Sequence, residues 1–342
     1  MKSDAHGSAA FEWSHGKRTD REKGYEMDNI EAGLTGEEFD AQYDVEGREA
    51  FHWQTAIAWK SLNRIVCRGY DVNELAERAS FMDMMFLLFQ GRLPTLAEER
   101  MLSYSMVAFV EHAFSPSAVA ARAVASGRPL LTSAIAAGIL TFGYAHGPGW
   151  QYGEMMEGYV RRGKRDGLTL EDLAAVLVDD HLRDGKKIMG LHQPQHINGD
   201  PRAALVLGKA KELRVSGVYV TLQEHVAEAF LKRTGKRIHP NVLGAAGSVL
   251  LDLGFGALGS WALGVLARGF SCAAHAIEEM TEQSPWRASR SNPMVDFLDL
   301  SLQGPKYYTG AGDRRVPTRE ERGRAEGMAG VPTETKPVRT AE

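Results

Sequence analysis

Between about residue 45 and Val316, apolar residues recur at helical spacing nearly throughout, and several runs begin behind a residue able to cap a helix. Asp71 precedes N-E-L-A-E-R-A, Ser80 precedes F-M-D-M-M-F-L-L-F, and Thr95-Leu-Ala-Glu98 has the form of a capping box. Thr169 stands in the same way before L-E-D-L-A-A-V-L-V. Further helices are predicted over Leu130 to Phe142, Pro201 to Arg214, Thr221 to Lys232, Asn241 to Leu253 and Leu258 to Met280. Strand patterns are scarce. The runs from 241 to 267 are rich in small residues (A-A-G-S, G-A-L-G-S, A-L-G), which let helices approach closely on several sides. The fold class expected is all-α, with central helices wrapped by others.

The longest uncharged stretch, between Arg128 and Glu154, can be helical only from Leu130 to Ala145. Those sixteen residues make about 24 Å of helix, short of the roughly 30 Å hydrocarbon layer, so a buried helix is expected and no membrane. The first 45 residues and the segment 317–342 carry few large apolar residues and no periodicity, and read as disordered tails.

Composition narrows the class. With 342 residues the chain can bury a sizeable core. Its 40 Lys and Arg against 44 Asp and Glu give a net charge of −4, which speaks against nucleic acid as a partner. Two cysteines, Cys67 and Cys272, are too few for a disulfide framework or a sulfur-rich metal site, and the N-terminus lacks the apolar core of a secretory signal. A cytoplasmic location is expected.

Generic motifs give little. Gly254-Phe-Gly-Ala-Leu-Gly259 fits G-x-G-x-x-G, but the run before it reads as helix rather than strand, so a tight turn between helices is preferred to a dinucleotide site. His192-Gln-Pro-Gln-His196 spaces two histidines as a metal-binding helix would, yet Pro194 and Pro201 argue for a loop and no third ligand stands nearby; no metal is expected. There is no G-x-S-x-G elbow and no G-x-x-x-x-G-K-[ST] loop.

Five segments carry a more specific signal. R-G-Y-D-V-N-E-L leading to G-R-L-P-T, then E-H-A-F-S-P-S-A-V-A-A-R-A-V-A-S, A-A-G-I-L-T-F-G-Y-A-H-G, I-M-G-L-H-Q-P-Q-H-I-N-G-D-P-R and P-N-V-L-G-A-A-G-S-V-L-L-D-L-G-F follow one another between Phe51 and Arg290, with A-R-G-F-S-C-A-A-H-A-I-E-E downstream. In order and spacing they resemble the citrate synthase superfamily, most closely its short members of the citryl-CoA lyase type. The resemblance implies a large helical domain (46–154 and 266–316), a smaller mobile helical domain (155–265), and a homodimer built on the apolar central helices.

It also assigns residues. His112 falls at the substrate-binding histidine position, and Arg202 and Arg268 at carboxylate-binding positions, where a guanidinium fork can grip a carboxylate. His146 falls at the first catalytic position, where a neutral imidazole can donate to a thioester carbonyl as enolate charge develops. Ile188, Met189, Gly190 and Leu191 match the stretch that holds the adenine end of CoA. Two departures stand out. Gln193 takes the place of the second catalytic histidine, with His192 one residue early, and glutamine cannot shuttle a proton near neutral pH. Leu243 replaces the aspartate that removes the α-proton of an acyl-CoA, and would offer apolar contact to a larger substrate. His239, at the head of the same segment, is the nearest replacement acid or base.

The resemblance thus implies an enzyme that makes or cleaves a carbon–carbon bond between an acyl-CoA and a carboxylated carbonyl compound other than oxaloacetate. It is a carbon–carbon lyase or an acyltransferase, with a CoA thioester as co-substrate and no permanently bound cofactor. The alternative is a non-catalytic CoA or carboxylate binder, or a regulatory subunit of a hetero-oligomer. Substrate identity, reaction direction and the group that replaces the aspartate stay open.

Overall fold

Ser80 and Thr95 start their helices as their sequence context predicts. Each side chain accepts the backbone N–H three residues on, from Asp83 and Glu98, whose carboxylates accept the cap's own N–H in return. The structure is a computed structural model and describes residues 55–60, 63–192, 196, 198–285, 316–318 and 320–321. Among these are three short strands and eleven helices. They divide into two units at Arg78/Ala79.

The first unit departs from the expected helices. Ala58–Lys60 (β1), Ile65–Cys67 (β2) and Tyr70–Asp71 (β3) form a three-stranded antiparallel sheet in which Trp59 faces Val66 and Cys67 faces Tyr70. The reason is local. Arg68 and Gly69 both take positive φ (49° and 88°), the geometry of a two-residue hairpin turn, beside the β-branched pair Ile65-Val66. Helix α1 (Val72–Arg78) follows, with Asp71 accepting from the Asn73 N–H at 2.9 Å.

The second unit holds α2 (Phe81–Gln90), α3 (Leu96–Val110), α4 (Pro116–Ala125), α5 (Leu131–Leu140), α6 (Gly149–Asp166), α7 (Leu170–Arg183), α8 (Pro201–Glu212), α9 (Val218–Thr234), α10 (Val242–Asp252) and α11 (Gly256–Glu282). Phe86, Leu102, Val206, Val249 and Leu263 belong to one core, where α2, α3, α8, α10 and α11 meet. Tyr152, Leu177, Ile188, Leu222 and Leu251 belong to a second, where α6, α7, α9 and α10 close on the segment before α8. Every residue of α10 from Gly244 to Leu251 is buried, as its small-residue run implied. The Gly254–Gly259 motif is the expected turn between helices, with Gly254 and Gly256 at positive φ.

Helix α6 is absent from the runs predicted by pattern. Its regularity is broken by Gly153 and Gly163, and both are there for packing: a Cβ on Gly153 would lie 2.6 Å from the Ala257 backbone, and one on Gly163 2.8 Å from Leu173. Helix α11 is, among the described residues, the one helix long and apolar enough to cross a membrane. It contributes instead to the core with Leu263, Ala267 and Ala276 and buries Arg268 and Glu279. The predicted tails lie, apart from residues 317, 318, 320 and 321, outside the described residues.

Candidate active site

His112 follows the end of α3, and three anchors from other elements surround it. Its Nε2 lies 3.1 Å from Nε2 of His196, with the rings edge to face. Burial, then the positive charges of Arg202 and Arg268, lower the His112 pKa to about 4 against a smaller opposing effect of Asp200. The ring is therefore neutral at neutral pH. Arg268, near the middle of α11, donates to Ser115 Oγ (2.8 Å) and the Phe109 carbonyl (3.2 Å), and burial pushes its pKa down. Glu111 is the carboxylate that offsets this. Burial alone would raise its pKa, but bonds to His275 and Ser271 outweigh that and hold it at about 2.

Arg202 is engaged within the chain. Its Nε and Nη2 make a bidentate pair with Asp200 at 2.9 Å each, and Asp200 also accepts from the N–H groups of Arg202 and Val242. Arg202 therefore reaches the site with its fork already on a carboxylate.

His146 sits in a tight turn before α6. Gly143 and His146 exchange backbone hydrogen bonds (2.9 and 3.2 Å), and the ring lies 4.6 Å from that of Phe142. Gly147, at φ 71°, lets the chain pass Phe142, where a Cβ would stand 2.7 Å from the ring. Burial, with a contribution from Arg268, lowers the His146 pKa to about 4, so this imidazole is also neutral. Its Nε2 is buried and has no hydrogen-bond partner among the described residues. Leu243, in the first turn of α10, packs near the start of α6: its Cδ1 is 3.5 Å from where a Cβ on Gly149 would stand, beside Trp261. The indole N–H of Trp261 is also buried with no hydrogen-bond partner among the described residues.

Comparison with known proteins places this arrangement. The family model of the citrate synthase C-terminal domain matches residues 97–289. The chain belongs to the citrate synthase family. A citrate synthase of Heyndrickxia coagulans is 30% identical over 187 residues, 54% of this chain and 47% of that one, so the chain spans about half the length of that relative. Among solved structures it is similar to citryl-CoA lyase from Hydrogenobacter thermophilus, with TM-score 0.63 and 30% identity over 78% of this chain and 97% of that one. The ATP citrate lyase of Methanosaeta concilii, solved with citryl-CoA, has TM-score 0.57 at 18% identity over 85% of this chain and 46% of that one, which shows a shared fold.

The remaining expected residues of this citrate synthase homologue lie where the segment before α8 meets the start of α10. Ile188 and Leu191 bury their side chains in the second core, Met189 packs against it, and Gly190 takes φ 83° against the ring of Tyr152. The Gly190 carbonyl accepts from the Asn241 N–H (3.0 Å) and Gln223 Nε2 (3.4 Å). His192 donates its N–H to the His239 carbonyl (2.9 Å), and Leu191 pairs with Pro240. His192, His196, Asp200 and His239 line a cavity of about 30 Å³. Gln193 lies outside the described residues. Four contributors carry weaker sequence signals: His196, Asp200 of the D-P-R triplet, Ser115, and Trp261. The fold brings His196 to His112 and Ser115 to Arg268.

Proposed function

We propose that this chain makes or cleaves a carbon–carbon bond between an acyl-CoA thioester and a carboxylated carbonyl compound other than oxaloacetate, as a cytoplasmic homodimer. The observation that carries this reading is His146, a neutral imidazole whose buried Nε2 has no hydrogen-bond partner among the described residues, with Leu243 packed near Gly149 three residues further on. A neutral ring with an unused N–H can stabilise an enolate oxygen as charge develops on it. An isobutyl group cannot take a proton from an α-carbon. Together they favour chemistry in which the carbanion is stabilised by the substrate itself, as in cleavage of a β-hydroxyacyl-CoA whose leaving carbanion lies beside an aryl or second carbonyl group.

In this reading Arg268 grips the substrate carboxylate, Arg202 with Asp200 and His112 shapes the carboxylated end, and the 188–191 backbone meets the CoA. Segment 155–265 would act as the smaller domain, closing on substrate and excluding water. His192, His239 and Gln193 are the further candidates for acid–base work at the edge of the site. The citryl-CoA lyase similarity supports CoA thioester as co-substrate.

Leu243 also favours a second reading, a CoA or carboxylate binder that performs no chemistry. Calorimetry with CoA and dicarboxylates, run beside turnover assays on citryl-CoA and on β-hydroxyacyl-CoAs with aryl and acyl substituents, separates the two. Thioester-dependent cleavage of at least one candidate is expected; binding without any turnover would establish the second reading.

A further inference from the structure

The loop that lost its catalytic histidine at position 193 returns an imidazole to the site three residues later. His196 faces His112 nitrogen to nitrogen at 3.1 Å, with ring centroids 5.4 Å apart and planes at 73°. Two imidazoles in that geometry share one proton: one ring presents Nε2–H and the other a lone pair. His112 cannot accumulate charge easily, because Arg202 and Arg268 stand around it and Asp200 is already committed to Arg202. A neutral ring bonded to a second ring escapes this difficulty, since it can accept a proton at Nδ1 while releasing the one on Nε2. The charge then settles on His196, which lines a cavity together with the Asp200 carboxylate and Arg237.

We propose that His112 and His196 form a two-imidazole proton relay that replaces the acid–base histidine missing at position 193, with His112 touching the substrate and His196 acting through it. This deepens the reaction proposed above and rests on it. In the cleavage direction the substrate hydroxyl gives its proton to His112 Nδ1 while His112 Nε2–H passes to His196 Nε2. The carbon–carbon bond breaks, the hydroxyl oxygen becomes a carbonyl oxygen, and the bonding pair moves to the α-carbon as an enolate hydrogen-bonded by His146. Water supplies the proton that completes the acyl-CoA, and His196 releases one to water, so no net proton is consumed.

The relay separates from a structural role by what His196→Gln does. Glutamine can still hydrogen-bond His112 but cannot carry its proton. With a substrate that the wild type cleaves, His196→Gln is expected to lower kcat by about a hundredfold with little change in KM or in CoA affinity, and to remove one ionisation from the pH profile of kcat. Nitrogen-15 spectra of the ring nitrogens of the wild type are expected to show His112 with its proton on Nε2, and that ring signal should shift in the variant. A variant that keeps the wild-type kcat and pH profile, or His112 ring signals unchanged by the substitution, overturns the relay. A wild type that turns over none of the candidate thioesters overturns the proposed reaction instead, and the ring spectra then decide the shared proton by themselves.

Discussion

Single side chains set what this site can do. Replacing Leu243 by aspartate would put a carboxylate in the first turn of α10, near Gly149 at the start of α6, where the helix dipole favours negative charge. The wild type should exchange no methyl hydrogens of acetyl-CoA with deuterated water, and Leu243→Asp should gain measurable exchange, followed by proton NMR. His112 and His146 make a different prediction. Both have folded pKa values of about 4 against an ordinary 6.5, so between those values the unfolded chain binds more protons than the folded one. Stability is therefore complete above about pH 6.5 and is lost as the pH falls toward 4. Melting temperature against pH should show this loss, and His146→Asn should flatten it. Glu111 acts further down: its carboxyl, held at about 2 against 4.5, contributes stability that is lost between those values.

At the scale of elements, the contact between the 188–191 segment and α10 is the tightest constraint on the site. A Cβ on Gly244 would collide with the Gly190 carbonyl, so Gly244→Ala must push this segment off the helix. CoA affinity measured by calorimetry is expected to fall at least tenfold, while far-ultraviolet circular dichroism stays helical. The same contact is held from below by Tyr152, whose buried hydroxyl meets Gln223 Oε1 (2.7 Å), Ser248 Oγ (2.6 Å) and the Gly244 carbonyl (3.1 Å). Tyr152→Phe leaves those groups short of a partner and should cost about 1–3 kcal/mol in urea unfolding.

Across the whole molecule, apolar side chains remain on the outside of the second unit. Val107 on α3, Leu140 at the end of α5 and Phe270 on α11 are 71%, 82% and 58% exposed, and Leu266 and Ile277 lie on α11 as well. Apolar surface of this kind on central helices is what a second copy would cover. Sedimentation should find a dimer, and Phe270→Asp with Leu266→Glu should shift it toward monomer without loss of helicity. If dimerisation proves independent of these residues, the proposed homodimer interface lies elsewhere.

The sequence by itself determined the caps at Ser80, Thr95 and Thr169 and the helices that they start, because hydrophobic spacing and a Ser or Thr before a run act over three or four residues. It also determined the family, since those segments keep their order and spacing. Only tertiary structure decided the rest. Hairpin turn Arg68-Gly69 and helix α6 were hidden because a positive φ and close-packing glycines are settled by neighbours rather than by pattern. The commitment of Arg202 to Asp200, the burial of the His146 Nε2 and the pairing of His112 with His196 across 84 positions depend on which chains of atoms meet after folding. A hydrogen bond and a desolvated charge are properties of that meeting, and no local periodicity encodes them.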